Sequence, residues 1–177
     1  MLKDRYGLEL STNSSVARDA YVEAVDAVLS ATGDAEALLK KGIDADPEFA
    51  LNHTVYARVQ QLSGRMAEAK ASGERGVKLA KKATDREKQH AQIFQLLTSG
   101  QGPKGLELIQ SHVQQHKLDA FALAPACSVF GLIGFSGRID REDEQVSLLE
   151  PLEKAYGDDW WFLTVYGFAL VEIGEWK

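Results

Sequence analysis

Cysteine is almost missing from this sequence: Cys127 is the single one in 177 residues, which excludes an intramolecular disulfide framework. An excess of positive charge is missing as well. Lys and Arg number 20 against 26 Asp and Glu, a net charge of −6, whereas binding to phosphate backbones needs a cationic face. Nucleic acid is therefore not an expected partner. No apolar run reaches the length of a bilayer span, and the longest, Phe121 to Phe135, is interrupted by Pro125 and Ser128. The N-terminal stretch MLKDRYGLELSTNSS mixes charges of both signs and lacks the apolar segment of a secretory signal. The reading is no membrane and a cytoplasmic address. Strand-like alternation of adequate length is absent too, so the fold class expected is all-α.

What is present is ordinary for a globular protein, 45% hydrophobic and 26% charged residues. The most informative stretch runs from Asp46 to Leu79. Asp46 is expected as the N-cap of a helix with Pro47 at its first position, where a missing N–H costs nothing. Phe49, Val55, Tyr56, Val59 and Leu62 recur at helical spacing until Ser63-Gly64 breaks the pattern. A second helix follows, with Ala69, Gly73 and Gly76 as small contact residues. The same plan repeats along the chain. Ser14 or Ser15, Asp34, Thr84 with Glu87, Asp119, Asp140 and the pair Asp158-Asp159 are the expected helix starts, and Pro103 opens a further helix. The apolar helix after Asp119 is expected to run to Gly137, with Pro125, Gly131 and Gly134 inside it. Nine helices and the beginning of a tenth are predicted, with turns within about three residues of the turn glycines.

Those glycines, Gly33, Gly64, Gly100, Gly137 and Gly174, lie about 31 to 37 residues apart, and Gly64 is followed by Ala69 five positions on. This spacing resembles the tetratricopeptide repeat, a helix–turn–helix unit of about 34 residues. The expectation is a tetratricopeptide-like α-solenoid of antiparallel helix pairs, rather than an irregular bundle. Residues 1–177 read as a single helical-repeat domain, the N-terminal part of a longer solenoid. The segments DRYGLELSTNSSVARDAYVEAVD, FGLIGFSGRIDRE and YGDDWWF resemble the bacterial relatives of tetratricopeptide repeat protein 38. That resemblance implies a helical-repeat fold and transfers no catalytic residues and no cofactor.

Several patterns invite chemical readings. Gly100-Gln101-Gly102-Pro103-Lys104-Gly105 matches the dinucleotide fingerprint, but a helical pattern precedes it, so it reads as an inter-helix turn. His112 and His116 stand four apart on one helix face, where zinc would still need a third ligand such as His90 or Glu107. No metal site is expected. Cys127 reads as a small buried hydrophobe, and Glu142/Asp143 and Asp158/Asp159 as helix-start carboxylates. No catalytic set is readable.

A solenoid binds along its concave groove. Aligning each turn glycine with the repeat projects Glu23, Thr54, Arg58, Gln61, His90, Phe94, Trp161, Thr164 and Phe168 into that groove. Two functions stand. One is a scaffold that binds a peptide or partner protein in the groove; the other is a small-molecule or enzymatic role whose pocket is completed beyond Lys177. A deep polar pocket with convergent ionisable groups favours the second, an open groove the first. Finally, Asp158 to Gly174 is apolar on every side of its helix, so the chain is expected to self-associate there or to belong to a longer protein that covers it.

Overall fold

Charge and turn residues at the N-terminus build a small antiparallel ribbon that sequence periodicity did not announce. Leu2–Lys3 (β1) pairs with Glu9–Leu10 (β2), Leu2 opposite Leu10. Asp4 holds the connecting turn, its Oδ1 accepting the backbone N–H groups of Tyr6 and Leu8 at 2.9 Å each. The computed structural model describes residues 1–128 and 130–175, and every regular element after the ribbon is helical among them. The fold is all-α. The chain divides into two compact units, Met1–Gly105 and Leu106–Lys177.

In the first unit, local caps place the helices. Ser14 Oγ accepts the N–H of Ala17 and opens α1 (Ser15–Leu29). Asp34 Oδ1 accepts the N–H of Ala37 at 3.0 Å and opens α2 (Ala35–Ala45). Then α3 (Ala50–Leu62) and α4 (Met66–Ala80) follow. Thr84 and Glu87 form a complete capping box at α5 (Asp85–Thr98). The next helix, α6 (Gly102–Gln115), crosses the boundary between the units. Successive helices from α1 to α5 pack on one another, and α3 also packs on both α1 and α5. Ala17, Tyr21, Leu39, Phe49, Leu51, Val55, Ile93 and Phe94 form the buried interior, with Tyr21 edge-on to Phe49. Close approach of α3 and α4 depends on Gly76, where a Cβ would stand 2.7 Å from Thr54 Oγ1.

The expected start of α3 is corrected. Asp46 does not cap it, because its carboxylate serves other donors: Oδ2 accepts the Thr12 hydroxyl at 2.6 Å and Oδ1 the Glu48 N–H at 3.1 Å. Pro47 and Glu48 form a turn, and the helix begins at Ala50 with buried Phe49 at the cap position. The turn glycines behave as expected: Gly33, Gly64, Gly100, Gly137 and Gly174 all have left-handed φ values, between +70° and +84°.

The second unit departs further from expectation. The long helix foreseen from Asp119 to Gly137 reduces to α7 (Ala120–Leu123) and two single 3₁₀ turns, Ala124–Ala126 and Gly134–Ser136. Pro125 has no N–H to donate, Ser128 takes a left-handed φ of +71°, and Leu132 N–H donates back to Pro125 O at 2.9 Å. Gly131 comes so near Cys127 that a Cβ would run into that residue's carbonyl oxygen. Asp119 does cap α7, accepting the Ala122 N–H, whereas Asp140 sits at the start of α8 (Arg141–Leu149) without a side-chain bond. The helix through Leu152 also breaks. At Pro151 it becomes the 3₁₀ turn Glu150–Leu152 before α9 (Glu153–Tyr156). Asp159 Oδ1 then accepts the Phe162 N–H at 3.0 Å and opens α10 (Trp160–Glu172), which packs on α8. Tyr156 and Phe162 stack with ring centroids 4.4 Å apart. Of the foreseen beginning of a tenth helix, Glu175-Trp176-Lys177, Glu175 is not helical, and Trp176 and Lys177 lie outside the described residues.

Candidate functional site

The residues expected to line a groove fall into three groups. Thr54, His90 and Phe94 in the first unit and Trp161 in the second are buried. Thr54 donates to Ala50 O at 3.0 Å and lies against Gly76, while His90 and Phe94 pack ring on ring at 5.1 Å. Trp161 sits 6.1 Å from the Tyr156 ring. These side chains serve the interior. Arg58 and Gln61 are half-buried: Arg58 Nη1 donates to Gln61 Oε1 at 2.6 Å, and Gln61 Nε2 donates to Leu97 O at 3.0 Å. Burial pulls the guanidinium pKa of Arg58 below its ordinary value. Gln61 thereby ties α3 to α5. Glu23, Thr164 and Phe168 are exposed, Glu23 beside Arg5 and Arg18, and Thr164 with Phe168 on the outer side of α10.

Chemistry of the catalytic kind finds little support in this geometry. His112 is fully buried and its Nε2 lies 3.1 Å from Asp119 Oδ2, with the His116 ring 4.9 Å away. His90, offered by the sequence as a third ligand, is buried against Phe94, and Glu107 is exposed on α6. Among the described residues no three His, Cys, Asp or Glu side chains are grouped to hold a metal ion. Burial pushes the Cys127 thiol up to about 12, the opposite of an activated nucleophile. Gly100 to Gly105 joins the end of α5 to the start of α6, with no strand before it.

Open clefts include a small one of about 190 Å³ lined by Arg5, Arg18, Asp19, Val22 and Glu23, and two larger ones. One, of about 440 Å³, lies in the second unit between the end of α6 and the α8–α9 segment. Val113, Leu148 and Leu152 supply its apolar lining and Gln110, Gln114, Lys117, Glu144 and Ser147 its polar one. Glu144 is already engaged, by Gln110 Nε2 at 3.1 Å and by Arg138. The other, about 410 Å³, lies in the first unit where the α1–α2 turn meets the end of α3. Glu36 at its edge bonds Lys40 and Arg65, which hold its carboxyl down to about 2. Neither of these two larger clefts gathers convergent ionisable groups.

The outer side of α10 is different in kind. Its inner side buries Phe162, Tyr166 and Ala169, yet Trp160, Leu163, Phe168 and Val171 are 44%, 49%, 40% and 43% exposed. Thr164 shares this side, its hydroxyl donating to Trp160 O at 2.8 Å. The all-round apolar sequence pointed to this helix. It did not indicate which side would stay uncovered. Residues that sequence reasoning missed are Phe130, Phe135 and Ile139, three exposed apolar side chains on the loop before α8. Their surface position follows from the broken α7 segment, for which Pro125, Gly131 and Gly134 were the sequence signals. No helix among the described residues is long and apolar enough to cross a membrane. Set against family models, curated proteins and solved structures, the chain matches none of them.

Proposed function

We propose that this chain is a protein-interaction scaffold of tetratricopeptide-like helical repeats that binds a partner protein or peptide. The observation that carries the reading is the exposed, uncharged apolar side of α10. Contiguous apolar patches on a protein surface mark interaction sites, and Thr164 and Phe168, expected from the sequence in the concave groove, lie on this side of α10. The repeat reading is supported by the regular left-handed glycines, by helices that pack on their sequence neighbours from α1 to α5, and by small residues between α3 and α4. The resemblance to the bacterial relatives of tetratricopeptide repeat protein 38 points the same way. The two larger clefts lack convergent ionisable groups, which favours binding over catalysis. The lone buried thiol suits a reducing compartment, and the cytoplasm is the address we propose.

A photoactivatable benzophenone side chain tests this at Phe168, with exposed Lys70 of α4 as control. A discrete crosslinked polypeptide from Phe168 and none from Lys70 is the expected result in cells. Crosslinks to solvent and lipid only, from both positions, would sink the interaction reading.

A further inference from the structure

Charge along the C-terminal segment narrows the partner's chemistry. From Ala155 to Glu175 the sequence contains no Lys, Arg or His. The acids within that span stand at the two ends of α10: Asp158 and Asp159 before it, Glu172 in its last turn and Glu175 after it. Asp158, Glu172 and Glu175 are exposed. Between them the outer side of the helix is uncharged for three turns. At its centre is Gly167, where an added Cβ would meet nothing within 4 Å. Leu163, Thr164, Phe168 and Val171 surround that position at helical spacing and make it a notch into which an incoming side chain fits.

We infer that the outer face of α10 receives an amphipathic helix of a partner protein whose apolar stripe is bracketed by Lys or Arg at both ends. This rests on the interaction reading above and specifies its partner. A second copy of the same helix fits poorly. Laid antiparallel it sets Asp158 against Glu172, laid parallel it sets acid against the same acid, and like charges across an interface are unfavourable in either arrangement. A cation-bracketed helix meets complementary charge at both ends whichever way it runs. The acids then favour encounter and the apolar stripe supplies the affinity. Thirteen residues of α10 span about 20 Å, so about 16 partner residues suffice to reach both acidic ends.

The test uses the whole chain and three synthetic helical peptides of about 16 residues. One carries Leu and Ile at helical spacing with two Lys at each end; the second has Glu in place of Lys; the third keeps the Lys and scrambles the apolar positions. The Lys-ended peptide is expected to bind at least tenfold more tightly than either other, with the margin shrinking as salt is raised. Gly167→Leu, which projects into open space and leaves folding intact, should weaken that binding about tenfold. Asp158→Lys combined with Glu172→Lys should reverse the preference between Lys and Glu ends. Equal binding of the Lys-ended and Glu-ended peptides overturns the charge bracket while the interaction reading stands. No binding of any peptide, together with an empty Phe168 crosslink, overturns both. Dimerisation of the chain abolished by Phe168→Asp, or an intramolecular crosslink from Phe168 to a later segment of the same polypeptide, gives the face another occupant and also overturns the inference.

Discussion

Gly64 turns the chain between α3 and α4 at φ +77°, and an added Cβ there meets nothing within 4 Å. A substitution at this position is therefore a test of backbone conformation free of packing effects. Gly64→Val should destabilise by about 1 kcal/mol or more, because a β-branched residue resists the left-handed region. That corresponds to a fall of roughly 2–4 °C in the thermal midpoint of a chain this size. Glu36 offers a second residue-scale experiment. Its carboxylate bonds Lys40 at 2.8 Å and Arg65 at 2.6 Å, and its pKa falls from the ordinary 4.5 to about 2. A lowered carboxyl pKa means that the folded state holds the charged form. The contribution to stability is present above the ordinary carboxylate range and disappears as pH falls toward 2. Carboxyl NMR should place the Glu36 midpoint near 2, and Arg65→Ala should raise it toward 4.5 without reaching it, since Lys40 remains.

Among the elements, the N-terminal ribbon is held by residues far along the chain. Glu87 is fully buried and accepts the Ser11 N–H at 2.9 Å as well as the Ser11 hydroxyl, while it also closes the α5 capping box. Arg86 Nη2 donates to Glu9 O at 2.8 Å, and Leu10 is wholly buried. Glu87→Ala leaves those donors without their acceptor and should cost on the order of 1–3 kcal/mol. Hydrogen exchange at Ser11 should accelerate well beyond exchange in α3, and equal acceleration in both places would mean that Glu87 supports the unit as a whole. Which parts were legible follows from range. Ser14, Asp34, Thr84, Asp119 and Asp159 cap donors three residues away, so sequence spacing alone finds them. Asp46 misleads because Thr12, 34 residues earlier, occupies its carboxylate. The break after Leu123 needed Ser128 in a left-handed conformation, which a serine does not advertise. For the candidate site, the apolar character of α10 was plain, whereas its uncovered side depends on how it packs against α8.

At the scale of the molecule, each compact unit owns a buried interior, and that of the first is closed by the ribbon, α1 to α5 and the first turn of α6. Residues 1–105 expressed alone should be helical and unfold cooperatively. Removing residues 1–13 from that fragment deletes Leu10 and the donors to Glu87 and Asp46. A loss of about 1.5–3 kcal/mol from Leu10 burial alone is expected in denaturant titrations. A non-cooperative transition for 1–105 would show that the boundary within α6 does not separate independent folding units.

The ribbon also imposes a timetable on biosynthesis. Ser11 leaves the ribosome 76 residues ahead of Glu87, the carboxylate that receives it. At roughly 5–20 residues per second, that interval is on the order of 4–15 s. Throughout it the leading residues have no docking place, and α1 to α4 must assemble with their end still open. The ribbon, made before the helices it leans on, is thus among the last parts of its unit to settle, and the stage at which it becomes resistant to cleavage is set by the appearance of α5.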